Sequence, residues 1–321
     1  MRVQAALLSL CLTLVAAVLP RAASLQEETG PFLLSVLRRD GVVIPFAAFD
    51  GRRWSKRWPD WLPVERPISL RDIPNRWWGA EPALKMRHWS DGANVGEVTI
   101  TSPGIGPLMC EPRLTLRSDY KASQPVPPAF VLPFPKDGLL VAGDVPVAKI
   151  ATVDVTGNEA KGVLALAVDD FNREESRASA VFTAWRHPLK ADERKKAPVT
   201  LEAIYRAPTD DAEWTAYFIE AIREYPPGPK ETDGCGLATY VSGWVITHQR
   251  ERPYVRIGAR ITYCDRKGVG YMLPFGLVRA GEKNYWVFQY AGFEQESYQV
   301  IRPARRSVET AVVFNAGSCG R

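Results

Sequence analysis

Two glutamates, Glu294 and Glu296, follow the aromatic stretch Tyr285-Trp286-Val287-Phe288-Gln289-Tyr290 and stand just before Tyr298. Carboxylates beside aromatics and an amide are the ingredients of a glycoside-hydrolase cleft, in which one acid must have a raised pKa. Residues two apart share a side only along a strand, and Ala291-Gly292 reads as a turn. Arg302, Arg305 and Arg306 lie close by, so ordinary surface ion pairs are the simpler reading. Asp169-Asp170 is a second acid pair open to the same two readings.

Asp170, Asn172 and Glu174 place oxygen ligands at alternate positions, as calcium loops do. Glu175 stands where an EF-hand loop needs glycine, and Arg173 and Arg177 compete for the carboxylates. An acidic surface turn accounts for the run more economically. Cys235, in Gly234-Cys235-Gly236, has the setting of a thiol nucleophile with His248 as base, but a disulfide cysteine fits the same loop. The chain lacks a G-x-S-x-G elbow, a phosphate loop, a dinucleotide glycine pattern, an H-E-x-x-H pair and a CxxC. No cofactor is called for.

Six of the ten tryptophans fall between Trp54 and Trp89, in a stretch broken by Pro59, Pro63, Pro67 and Pro74. Trp54, Trp58, Trp77 and Trp78 are the candidates for an aromatic platform that stacks on a sugar, with Arg52, Arg53, Lys56 and Arg57 at its rim. The competing reading is that they pin long loops onto sheets, and burial is the commoner fate of a tryptophan.

These groups must be held by strands. From Gly234 to Ile301 the chain reads as an antiparallel meander: Thr239–Thr247, Tyr254–Tyr263, Gly270–Val278, Asn284–Tyr290 and Tyr298–Ile301. In YVRIGARITY, Val255, Ile257, Ala259, Ile261 and Tyr263 fall on one side, and Arg256, Arg260 and Thr262 on the other. That period of two marks a half-buried strand with one wet face. Upstream, Phe32–Leu37 and Val42–Phe49 form a hairpin turned at Asp40-Gly41, and further strands are expected at 97–101, 113–117, 129–133, 138–141, 147–155 and 163–168. Aliphatic–aliphatic–Pro–Phe recurs at Val43–Phe46, Val131–Phe134 and Met272–Phe275 with uneven spacing. One helix is expected over 210–224, with Asp210 as cap and Trp214, Tyr217, Phe218, Ala221 and Ile222 as its apolar stripe.

The fold class is therefore mainly β: antiparallel sheets in two β subdomains with one packed helix, or alternatively a single β-propeller. The expected divisions are a signal peptide (1–24), a Trp-rich β domain (25–187), a charged linker (188–197) and a C-terminal meander with the helix (198–321). Met1-Arg2 precedes an apolar run to Leu19, then Pro20, with Ala22 and Ser24 at the positions of a cleavage site. Without residues 1–24 the chain keeps 39 of its 41 Lys+Arg against 36 Asp+Glu, a net charge of +3 that argues against nucleic acid. Cys110, Cys235, Cys264 and Cys319 are then an even set, expected to pair as Cys235–Cys264 and Cys110–Cys319 in an oxidising compartment.

Two function classes follow. One is a non-enzymatic exported protein, secreted or periplasmic, that binds a glycan or an extracytoplasmic protein or is structural. The alternative is an extracellular polysaccharide-directed hydrolase that uses paired carboxylates.

Overall fold

The computed structural model describes residues 29–56, 58, 85–181, 187, 189–226, 236–292 and 295–319. The expected signal peptide lies outside them. Short apolar runs and glycine turns shape the first half. β1 (Phe32–Arg38) and β2 (Val42–Phe49) form the expected hairpin, closed at Gly41 in a left-handed conformation (φ 78°). β3 (Trp54–Ser55) adds to the edge of β2. β4 (Lys85–Ser90), β5 (Ala93–Leu108), β6 (Glu111–Ser118) and β7 (Lys136–Ala142) complete a barrel in the order β1-β7-β4-β5-β6-β2, closed by the β1–β2 pairing. Residues 129–133, expected as a strand, form no strand there.

The expected strand 147–155 is two short pieces, β8 (Val147–Ala148) and β9 (Ala151–Thr152). α1 (Asn158–Val181) and the single-turn α2 (Ala191–Arg194) follow, then β10 (Thr200–Pro208) and β11 (Trp214–Glu224). The anticipated meander is present as β12 (Leu237–His248), β13 (Tyr254–Tyr263), β14 (Gly270–Ala280), β15 (Lys283–Gly292) and β16 (Gln295–Ala304), extended by β17 (Ser307–Ser318). It does not stay in one sheet. Sheet C runs β13-β12-β11-β10-β9 and sheet B runs β17-β16-β15-β14-β8, so the chain changes sheets between β13 and β14. A closed barrel and two open antiparallel sheets replace the propeller alternative.

Helix and strand are exchanged at two places. The stretch 210–224, expected as a helix, is β11. Trp214, Ala216 and Phe218 pack toward sheet B, while Tyr217, Ile219 and Ala221 pack toward α1. A central strand covered on both faces is apolar at most positions, so it also satisfies a helical stripe. Conversely, Val163–Val168, expected as a strand, and the acidic turn after it lie within α1. Ala160, Val163, Ala167, Phe171 and Glu175 form its buried stripe, three or four residues apart.

Three apolar clusters stack the layers. The first fills the barrel and reaches Val287, Tyr298, Val300 and Phe314 of sheet B. The second joins Trp286, Phe288 and Ile301 on the other face of sheet B to Trp214, Phe218 and Trp244 of sheet C. The third seats α1 on the outer face of sheet C. Two of the Pro–Phe echoes have a structural meaning here. Phe46 and Phe275 occupy bulges beside Pro45 and Pro274, and both rings meet Tyr298, with centroids at 5.5 Å and 6.4 Å. Proline has no N–H to contribute to a ladder, which suits it to a bulge.

In the charged stretch expected as a solvated linker, Lys190, Asp192, Glu193, Lys195 and Lys196 are exposed, and Arg194 alone turns inward to α1. Arg194 is only 7% exposed and pairs with the fully buried Glu175, which also accepts a hydrogen bond from the Tyr225 hydroxyl at 3.2 Å. The Cys110–Cys319 disulfide ties the β5–β6 turn to the end of β17, as expected. Cys264 is disulfide-bonded, and Cys235 lies outside the described residues. Among the described residues, no helix is long and apolar enough to cross a membrane.

Candidate functional site

The residues nominated from sequence are scattered. Glu296 lies on β16 between the barrel and sheet B, and Glu294 is outside the described residues. Lys136 Nζ, from the start of β7, donates to Glu296 Oε2 at 2.9 Å and to the Phe134 carbonyl at 2.6 Å. The Tyr298 hydroxyl donates to Glu296 Oε1. The Lys136 and Glu296 side chains are 1% and 5% exposed, and the space beside them is about 10 Å³, too small for a substrate. Burial pushes the lysine pKa down and the tyrosine pKa well up, although Glu296 pulls the lysine back toward its charged form. This carboxylate is a buried structural partner, not a surface ion pair or a free acid.

The calcium candidates Asp170, Asn172 and Glu174 sit on α1, where residues two apart diverge around the helix. Asp170 pairs with Arg173, Glu174 with Arg177 at 2.7 Å, and Asn172 accepts from Arg223 at 2.9 Å. Among the described residues no three His, Cys, Asp or Glu side chains converge as metal ligands. Asp169 and Asp170 are likewise helix-surface groups. His248 stacks on Trp214 at 4.9 Å and meets Glu213 at 3.3 Å.

The tryptophan platform is not formed by the two members that can be placed. Trp58 is buried and donates its indole N–H to the Leu114 carbonyl at 2.9 Å. Trp54 is half-buried, edge-on to Phe32 and Tyr285. A tryptophan carries enough apolar area to anchor a loop, and here it does so. Trp77 and Trp78 lie outside the described residues.

What the sequence reading did not assemble is a cleft of about 370 Å³ between sheets B and C. Its sheet C wall consists of cross-strand neighbours: Phe218 on β11 pairs Trp244 on β12, which pairs Arg256 on β13, and Ser242 pairs Gly258 in the next row. Phe288, Tyr290, Gln299, Ile301 and Thr310 of sheet B form the opposite wall. The wet face of β13 is its open mouth. Val255, Ile257 and Ala259 pack on α1, whereas Arg256, Gly258 and Arg260 face the cleft side and are exposed. The alternation of YVRIGARITY was the available signal, but it did not say what the wet face would look onto.

Behind the cleft, β11 carries Glu220, which pairs with Ser242 in register and is 3% exposed. Its Oε1 accepts the Met272 N–H at 2.6 Å. Burial raises its pKa to about 7, and Glu202 adds like-charge repulsion, against the Met272 and Tyr240 hydrogen bonds that favour the anion. Glu202 is clamped by Arg266, at 2.6 Å and 3.0 Å. Four tyrosines complete the group. Tyr205 donates to the Met272 carbonyl and Tyr240 to the Gly270 carbonyl, each at 3.2 Å, while Arg266 donates to the Tyr271 hydroxyl at 3.1 Å. The Tyr290 hydroxyl meets Ser242 at 3.3 Å. Burial raises the pKa of Tyr205, to about 12, and of Tyr240 and Tyr290. The cleft itself presents the polar side chains of Ser242, Arg256, Tyr290, Gln299 and Thr310 around an aromatic floor.

Comparisons with protein-family models, with curated proteins and with solved structures each gave no match.

Proposed function

We propose that this chain is a non-enzymatic binding protein, and that its ligand sits in the cleft between sheets B and C. The observation that carries this reading is an aromatic floor, Phe218, Trp244 and Phe288, lying below the uncovered polar face of β13. A cavity with apolar walls and a few convergent polar groups is the usual form of a binding site. The apolar N-terminal run and the Cys110–Cys319 disulfide support work in an oxidising, extracytoplasmic compartment. The hydrolase reading keeps one supporting observation, the raised pKa of Glu220. Among the described residues Glu220 has no free acid as its partner, because Glu202 is clamped by Arg266 and Glu296 by Lys136.

Gly258 supplies the test. A Cβ there would meet nothing within 4 Å and the backbone is not left-handed, so a larger side chain enters the mouth from open space. Gly258→Phe is expected to weaken any cleft ligand at least 100-fold while changing stability by no more than about 0.5 kcal/mol, since the site is open and phenylalanine suits a strand. Titrations of neutral and acidic oligosaccharides and of a peptide library, followed by tryptophan fluorescence, supply the ligands. A ligand that binds the variant as tightly as the wild type sits elsewhere and removes the proposal.

A further inference from the structure

The nature of the occupant can be narrowed, on the reading that the cleft is a binding site. β13 is an edge strand, with β12 on one side and no described strand on the other. Such an edge is a template for one more strand. Arg256 and Arg260 stand on its cleft face four residues apart, about 13 Å at the rise of a strand. Neither pairs with a carboxylate among the described residues; Arg256 donates to the Val308 carbonyl at 3.0 Å. Gly258, between them, leaves open space above Phe218 and Trp244. A glycine inside a strand often marks close approach of another chain or a ligand.

A second copy of this protein is disfavoured as the added strand. Antiparallel pairing about Gly258 would set Arg256 opposite Arg260, and like charges directly opposite are destabilising. An acidic strand has the opposite fit. We infer that the cleft takes an extended acidic segment of a partner protein, added to sheet C along the free edge of β13. Alternate side chains of that segment face the cleft. Two acids four residues apart meet Arg256 and Arg260, and the apolar residue midway between them passes over Gly258 onto the aromatic floor. The motif is acid–x–apolar–x–acid. It reads the same in both directions, so parallel and antiparallel addition require the same sequence.

A display library of random nine-residue peptides, panned on the oxidised chain, tests this. The motif is expected to be enriched at least tenfold over the starting library. The best peptide should lose at least tenfold in affinity against Arg256→Glu or Arg260→Glu, both exposed positions whose melting temperatures should match the wild type. It should also lose at least tenfold when the amides that face β13 are N-methylated, a change that keeps its charge but prevents strand pairing. Enrichment without the acid pair, or equal binding of the N-methylated copy, overturns the inference. An oligouronate separates the two levels of the reading. If it binds the wild type but not Gly258→Phe and no peptide is enriched, the peptide occupant is wrong and the cleft stands. If every ligand found binds Gly258→Phe unchanged, both fall.

Discussion

Lys136→Met is expected to destabilise the protein by about 3–5 kcal/mol at neutral pH, because it leaves Glu296 as an uncompensated charge between two packed sheets. The wild-type pair is almost wholly out of water, and its Nζ–Oε2 contact is 2.9 Å. Its partners come from positions 160 residues apart, so the loss falls on the junction of barrel and sheet B. Two controls make the origin of the effect readable. Lys136→Met combined with Glu296→Gln should recover most of the loss, since a neutral amide can still accept from the Tyr298 hydroxyl. The single variant should also regain stability as pH falls, because the stranded carboxyl can then take up a proton. Urea unfolding at pH 4 and pH 8 measures all three proteins. A single variant within 1 kcal/mol of wild type at pH 8 would show that water reaches Glu296 and that the pair does not secure the junction.

Glu220→Gln is expected to act in the opposite direction. The Glu220 carboxyl has a folded pKa of about 7, raised first by burial and second by Glu202. In the unfolded chain it titrates near 4.3. Between those values the folded state binds the extra proton, so stability falls as pH rises through this window and is level above it. The penalty at pH 8 has an upper bound of about 3.5 kcal/mol, from the energy of one pKa unit. Glutamine keeps an acceptor for the Met272 N–H and carries no charge. The variant should therefore be more stable by about 2–3 kcal/mol at pH 8 and equal to wild type near pH 4. His88 and His187, whose pKa values burial lowers, oppose this trend below pH 6.5 in both proteins and cancel in the difference. Equal stability of the two proteins across the range would mean that Glu220 is hydrated or already ionised in the fold. Because Glu220 lies in register with Ser242 on the cleft wall, the same variant also asks whether its proton matters for binding.

Much of the strand set was legible from residue order. β1, β2 and β12 to β16 are short, mostly apolar runs set off by turn residues, and β13 adds a clear period of two. The Cys110–Cys319 pair was among the pairings expected from the even count of cysteines beyond the apolar N-terminal run. Element type failed at two mostly apolar runs. Residues 214–224 and 163–168 are apolar runs whose periodicity is ambiguous, and only the partners on either side, sheet B and α1 for the one and sheet C for the other, make the first a strand and the second a helix. The aromatic content of Trp214, Tyr217 and Phe218 was the local hint for a strand.

The site divides in the same way. Residue order alone determined that β13 has one apolar and one polar face, that glutamates and tryptophans stand near its neighbours, and that the chain turns often. Tertiary structure decided which of these meet. Glu296 is neutralised by a lysine 160 residues away, Trp58 is spent on the barrel, and the wet face of β13 looks into a cleft because the chain changes sheets after it. A side chain's local pattern records how many of its faces are dry. What lies opposite is set by long-range packing, where burial and charge pairing over tens of residues decide the outcome.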